Sequence, residues 1–89
     1  MLKLIKFKQD NCTPCKMLDN YLTHDLGVEV DEVINLSEGK DEGFEMAGRY
    51  EIMKTPTMVL VDEDGNELHK FSGVGRTGVN EILAKRGLI

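Results

Sequence analysis

Leu2-Lys3-Leu4-Ile5-Lys6-Phe7, then Gln9-Asp10-Asn11, then Cys12-Thr13-Pro14-Cys15, is the stretch that decides the fold. The first six residues are apolar apart from two lysines and read as a strand. The next three form a polar loop. From Cys15 onward the apolar residues Met17/Leu18, Tyr21/Leu22 and Leu26 recur at helical spacing, and Gly27 is placed to end that helix. Pro14 fits the first turn, where its missing N–H costs nothing. The reading therefore places a close cysteine pair where a strand gives way to a helix.

Working outward, Val28–Leu36 (VEVDEVINL) is rich in β-branched residues and predicts a second strand. Ser37 is a candidate cap for a second helix over about Gly39–Tyr50, with Phe44, Ala47 and Tyr50 facing inward. Gly39, Gly43 and Gly48 weaken that helix. Thr57–Val61 predicts a third strand and Glu67–Phe71 a fourth, joined by Asp62-Glu63-Asp64-Gly65-Asn66 with Gly65 at positive φ. Gly73–Gly78 reads as a flexible connection to a last helix that starts at Val79 and ends near Gly87. The order β-α-β-α-β-β-α predicts an α/β fold. Its first two strands are parallel through a right-handed crossover, its last two form a hairpin, and helices cover both faces of a four-stranded mixed sheet.

The 89 residues suffice for one domain, 1–89. Eleven Lys and Arg against 16 Asp and Glu give a net charge of −5, which argues against a nucleic-acid surface. No run approaches the ~20 apolar residues of a membrane span, and Lys3 and Lys6 interrupt any signal-peptide core. These features predict a cytoplasmic protein without a membrane partner. In a reducing compartment a close cysteine pair is reactive or metal-binding rather than a structural staple.

A helix N-terminus carries partial positive charge and unpaired N–H groups, both of which favour a thiolate at Cys12. Cys12 is thus the expected entry nucleophile. Cys15, one turn on, is the expected resolving thiol, and Pro14 stiffens the turn between them. Thr55-Pro56-Thr57 directly precedes an apolar strand. A cis bond before Pro56 would turn the neighbouring backbone groups outward, to pair with an extended substrate. Two other readings stay open. The pair can serve an oxidant or isomerase, towards which a thiolate-stabilising Lys6 would push it. It can also hold a metal in an interaction module, although only His24 and His69 remain as further soft ligands. Lys6 itself is expected to be solvated or snorkelling. Met17, Met46, Met53 and Met58 are expected mainly as core filler, with Met53 also a candidate for the substrate groove. The G-x-G within Gly73–Gly78 follows an edge strand in an acidic chain and does not read as a nucleotide loop.

Over nearly its whole length the sequence resembles the thioredoxin family. The resemblance rests on Cys12-Thr13-Pro14-Cys15-Lys16 after a first strand, on Tyr50-Glu51-Ile52-Met53-Lys54-Thr55-Pro56-Thr57, and on the Asp64-Gly65 hairpin, Gly73 and the terminal helix. It implies a thioredoxin fold, a cis Pro56 and thiol–disulfide exchange with no bound cofactor. The implied substrate groove includes Thr13, Pro14, Thr55, Pro56 and Gly73. The implied partners are disulfide-containing proteins, ribonucleotide reductase being one client the resemblance allows, and a thioredoxin-reductase-like flavoprotein; a monomer is the simplest state. Asn11 and Thr13 stand where the family has Trp and Gly, and Lys6 stands where it has a buried acid. The short chain is also similar to glutaredoxins and small glutaredoxin-like thioredoxins, but Gly73-Val74-Gly75-Arg76-Thr77 does not match the glutathione signature of paired glycines and an acid.

Overall fold

A computed structural model describes residues 1–89, and its sheet is organised around strand β1 (Lys3–Lys8). Alternation along β1 sends Leu4 and Lys6 to one face and Ile5 and Phe7 to the other. All four are buried, so both faces of this strand are covered. Helix α1 (Thr13–Asn20) follows, continued by a π-helical turn over Tyr21–Leu26 that Gly27 closes in a left-handed conformation. Next come β2 (Glu32–Asn35), a 3-10 turn (Leu36–Glu38) and α2 (Asp41–Arg49). Strands β3 (Thr57–Val61) and β4 (Glu67–Ser72) precede α3 (Arg76–Arg86).

The strand order is β2-β1-β3-β4. β1 and β2 are parallel, while β1–β3 and β3–β4 are antiparallel. The expected α/β fold, with a four-stranded mixed sheet and helices on both faces, is therefore found. One apolar cluster joins Leu4, Met58 and Leu60 of the sheet to Leu18 and Leu22 on the α1 side and Val79, Ile82 and Leu83 of α3. On the opposite face Ile5, Phe7, Ile34, Val59 and Val61 pack with Tyr50, Met46 and Ala47 of the α2 region. The Tyr50 hydroxyl donates to the Gly65 carbonyl at 2.6 Å, which ties α2 to the hairpin, where Gly65 has φ +83°.

Several local expectations are corrected. The second strand is four residues long rather than Val28–Leu36. Upstream of Glu32 the Asp31 carboxylate accepts the Leu4 N–H at 2.7 Å, and Val28 and Val30 pack against the α1/α3 core. Phe44 is 53% exposed, not inward, because the inward stripe of α2 runs through the partly buried Gly43, Met46 and Ala47 to the buried Tyr50 that caps the helix. A neighbour of that stripe is rotated about 100° away from it. Helix α3 begins at Arg76, so Gly78 lies inside it rather than in a connection. A Cβ at Gly78 would come within 2.1 Å of the Phe71 ring, so glycine is what allows α3 to lie this close to β4. Met58 is core, but Met17 and Met53 are 54% and 90% exposed.

Candidate active site

The end of β1 and the start of α1 hold the cysteine pair as expected. Asn11 turns the chain with φ +55°, a conformation Asn tolerates better than most residues. Cys12 is the N-cap of α1 in an extended conformation, and its sulfur accepts the Cys15 N–H at 3.2 Å. One of the helix's otherwise unpaired amides thus points at the Cys12 sulfur. Thr13 and Pro14 occupy the first helical positions and are exposed, while Cys15 is 3% exposed. Cys12 is half-buried and joined to Cys15 as a disulfide, with Cα atoms 5.2 Å apart. The pair is therefore asymmetric. One sulfur is reachable from solvent, and the other is covered by the helix.

Opposite the pair, the Thr55–Pro56 bond is cis. The Cys12 sulfur lies 3.6 Å from Thr55 Oγ1 and 3.8 Å from the Thr55 carbonyl oxygen. The Gly73 N–H donates to the Pro56 carbonyl at 2.9 Å, which fastens the loop after β4 to the cis-proline loop. The Thr57 hydroxyl donates to the Lys54 carbonyl at 2.7 Å and shares a 2.7 Å hydrogen bond with Ser72. The loops at this end of the sheet thus bring Cys12, Cys15, Thr55, Pro56 and Gly73 together from three distant parts of the chain. Met53, almost fully exposed, stands three residues before Pro56.

Some residues at the site escape a reading of the sequence. Gln9 accepts the Thr55 hydroxyl at 3.0 Å and so fixes the rim beside Cys12. Lys6 is 8% exposed rather than solvated, because it is ion-paired with Asp19 of α1, and Lys8 Nζ lies 3.5 Å from the other Asp19 oxygen. Asp19 stands four residues after Cys15, one helical turn on, which is the only signal the sequence offers for it. The Asp10 carboxylate accepts from Asn35 Nδ2 at 3.0 Å. His24 is exposed, and His69 Nε2 lies 3.7 Å from Glu81 Oε1. No group of three or more His, Cys, Asp or Glu side chains gathers as a metal cage.

Comparison with known proteins agrees with this geometry. The family profile described as Thioredoxin matches residues 1–85. A thioredoxin-like protein derived from the SPbeta prophage of Bacillus subtilis (strain 168), YosR, is 32% identical over 82 residues, covering 92% of this chain and 95% of that protein. Among solved structures, the thioredoxin of Fasciola hepatica aligns with a TM-score of 0.67 at 25% identity, over 94% of this chain and 79% of that one. The short form of thioredoxin f from spinach chloroplast aligns with a TM-score of 0.73 at 15% identity, over 94% and 74%. At that identity the second likeness speaks to the fold alone.

Proposed function

Because the chain belongs to the thioredoxin family, we propose that it is a thiol–disulfide oxidoreductase that reduces protein disulfides through Cys12 and Cys15. The observation that carries the reading is the position of the Cys12 sulfur: half-exposed, at a helix N-terminus, and 3.6 Å from Thr55 Oγ1 beside the cis proline. The helix end stabilises a thiolate there. An extended substrate segment lies along the outward-facing backbone at Thr55 and Pro56, between the Thr13–Pro14 turn and Gly73, with its disulfide against Cys12.

The Cys12 thiolate attacks one substrate sulfur, and the substrate S–S bond breaks. One substrate thiolate leaves and takes a proton from water. The Cys15 thiol then loses its proton and attacks Cys12, which forms the Cys12–Cys15 bond and expels the second substrate thiolate. Two electrons have passed from the dithiol to the substrate. The burial of Cys15 keeps it from competing for external disulfides, so the order of attack follows from exposure.

A thioredoxin-reductase-like flavoprotein returns the electrons, as befits a cytoplasmic electron-transport role, and ribonucleotide reductase is a client compatible with this chemistry. The net charge of −5 supports a monomer that meets proteins rather than nucleic acids. No helix is long and apolar enough to cross a membrane. The sequence argument for an oxidising pair rested on Thr13-Pro14 between the cysteines, where the family has Gly-Pro, and only secondly on Lys6. The ion pair of Lys6 with Asp19 offsets that charge and weakens the second part of the argument.

Cys15→Ser tests the mechanism. It should accumulate a mixed disulfide between Cys12 and a substrate protein. No trapped species with any disulfide substrate would overturn the reading. The direction of electron flow is tested by the potential of the pair against a dithiol buffer. A value of about −230 mV or lower fits a cytosolic reductant, and about −180 mV or higher would make it an oxidant or isomerase.

A further inference from the structure

The Thr55 hydroxyl stands between two acceptors. Its oxygen lies 3.6 Å from the Cys12 sulfur and 3.0 Å from Gln9 Oε1, and it has one proton to give. With the cysteines joined, that proton goes to Gln9. A disulfide sulfur is a weak acceptor, so little is lost at Cys12. Reduction changes the competition, because a thiolate is charged and a far stronger acceptor than an amide oxygen. The Thr55 carbonyl oxygen, 3.8 Å from the same sulfur, suits a Cys12 thiol but repels a thiolate. The segment that carries Gln9 is pinned from its other side. The Asp10 N–H donates to Ser37 Oγ at 2.8 Å, and the Asp10 carboxylate accepts from Asn35 Nδ2 at 3.0 Å. Gln9 is therefore exposed at its side chain but anchored at its backbone.

We propose that Gln9 is a positioning residue that releases the Thr55 hydroxyl to Cys12 when the pair is reduced. The inference rests on the reductase reading above. A glutamine amide has an accepting end and a donating end of nearly the same shape. In the disulfide form the accepting end, Oε1, takes the Thr55 proton. Two electrons from the flavoprotein reductase open the Cys12–Cys15 bond and leave a thiolate at Cys12. The Gln9 amide then turns over. Its Nε2–H donates to Thr55 Oγ1, and the Thr55 O–H donates to Cys12 Sγ. No proton leaves its atom in this rearrangement; only the hydrogen bonds change direction. The chain N–H···O–H···S⁻ polarises each of its links and holds charge on the attacking sulfur. A side chain with only one kind of end could serve only one of the two redox states. The charged groups on the elements that meet here are Asp10, tied to Asn35; Lys6 and Lys8, both at Asp19; Arg76, 3.7 Å from Asp25; and exposed Lys16 and Lys54. None of them is altered in the variants below.

Reduced Cys15→Ser protein carries a single thiol, so the ultraviolet absorbance of its thiolate against pH reads Cys12 alone. In that background Thr55→Val, which removes the hydroxyl and keeps the shape, should lower the thiolate-to-thiol ratio at a fixed pH about ten-fold. Gln9→Met should lower it about three-fold, as the loss of the outer link of the chain. Gln9→Met added to Thr55→Val should change nothing further, because the hydroxyl through which Gln9 acts is gone. In a nitrogen-labelled sample with both cysteines, the Gln9 side-chain amide resonance should move on reduction, and move far less in Thr55→Val. An unchanged ratio in Gln9→Met, an equal loss with and without the Thr55 hydroxyl, or a Gln9 amide that ignores reduction overturns the proposal while leaving the reductase reading intact. A Cys12 no more ionised than a free cysteine when Gln9 and Thr55 are both present overturns both.

Discussion

Two glycine-to-alanine substitutions in helices should shift stability in opposite directions. Gly48 lies near the end of α2, exposed, and a Cβ there would meet nothing within 4 Å. Gly48→Ala should stabilise the fold by ~0.5–1 kcal/mol through helix propensity alone. Gly78 is in the first turn of α3, and a Cβ there would sit 2.1, 2.4 and 2.5 Å from three carbons of the Phe71 ring. Carbon atoms in contact prefer ~3.5–4.0 Å, so α3 must lift from β4 or the ring must leave its place. Overpacking of this kind costs ~1–3 kcal/mol, which exceeds the propensity gain and leaves Gly78→Ala about 1 kcal/mol less stable than wild type. The two variants should differ by about 2 kcal/mol, or on the order of 10 °C in Tm, for a domain this small. Thermal unfolding followed by circular dichroism reads this directly. Phe71→Leu combined with Gly78→Ala should recover part of the loss, giving a coupling above about 0.5 kcal/mol in the double-mutant cycle. A Gly78→Ala protein as stable as Gly48→Ala would refute the claim that glycine sets the approach of α3 to β4.

Three further outcomes follow from other contacts. Arg86 donates to both oxygens of Asp31, at 2.6 and 2.8 Å, and its hydrogen bond is the main reason the Asp31 carboxyl titrates below the usual carboxylate range. The stability this lends is present above the unfolded-state value of ~3.9 and is lost as pH falls through the lower folded-state value. Asp31→Asn should therefore cost about 1 kcal/mol at pH 7, with the gap to wild type closing below pH ~4 in urea titrations. Asp62 is likewise lowered, chiefly by the backbone N–H of Asn66, so some acid sensitivity should survive in Asp31→Asn. Tyr50→Phe leaves the Gly65 carbonyl without its 2.6 Å donor and should lower stability by about 1 kcal/mol in chemical denaturation. Lys6→Met should change stability by no more than about 1 kcal/mol, because it removes the buried charge and leaves Asp19 able to face water. A loss of several kcal/mol would show that the ion pair is a structural clasp.

The element order, the strand Thr57–Val61 and the Cys12–Cys15 helix start were legible because each rests on local chemistry: apolar periodicity, turn residues, and a proline tolerated at a helix's first turn. The meeting of Thr55 and Gly73 with Cys12 was legible only through the resemblance, since nothing local says that loops 40 or more residues apart share one end of a sheet. Lys6 shows where local reading fails. A lysine in an apolar strand reads as snorkelling, and only the rotation of α1 over β1 reveals that Asp19 meets it. Phe44 fails for a related reason. The stripe through Gly43 starts with a residue that has no side chain, so an apolar count assigns the inward face to its neighbour. The shortened β2 reflects a side chain, Asp31, taking a backbone N–H that an uninterrupted ladder would have used.

The sulfur that caps α1 is also the sulfur expected to react. The Cys15 amide hydrogen points at Cys12 Sγ, so under the proposed exchange it would face the free sulfur of the reduced protein, a mixed disulfide during turnover and the internal disulfide afterwards. Each of these draws on that hydrogen to a different degree. In a nitrogen-labelled sample the Cys15 amide resonance should move step by step with the chemistry, giving the protein a built-in gauge of where it stands in its catalytic cycle, readable without a dye, a substrate tag or a mutation.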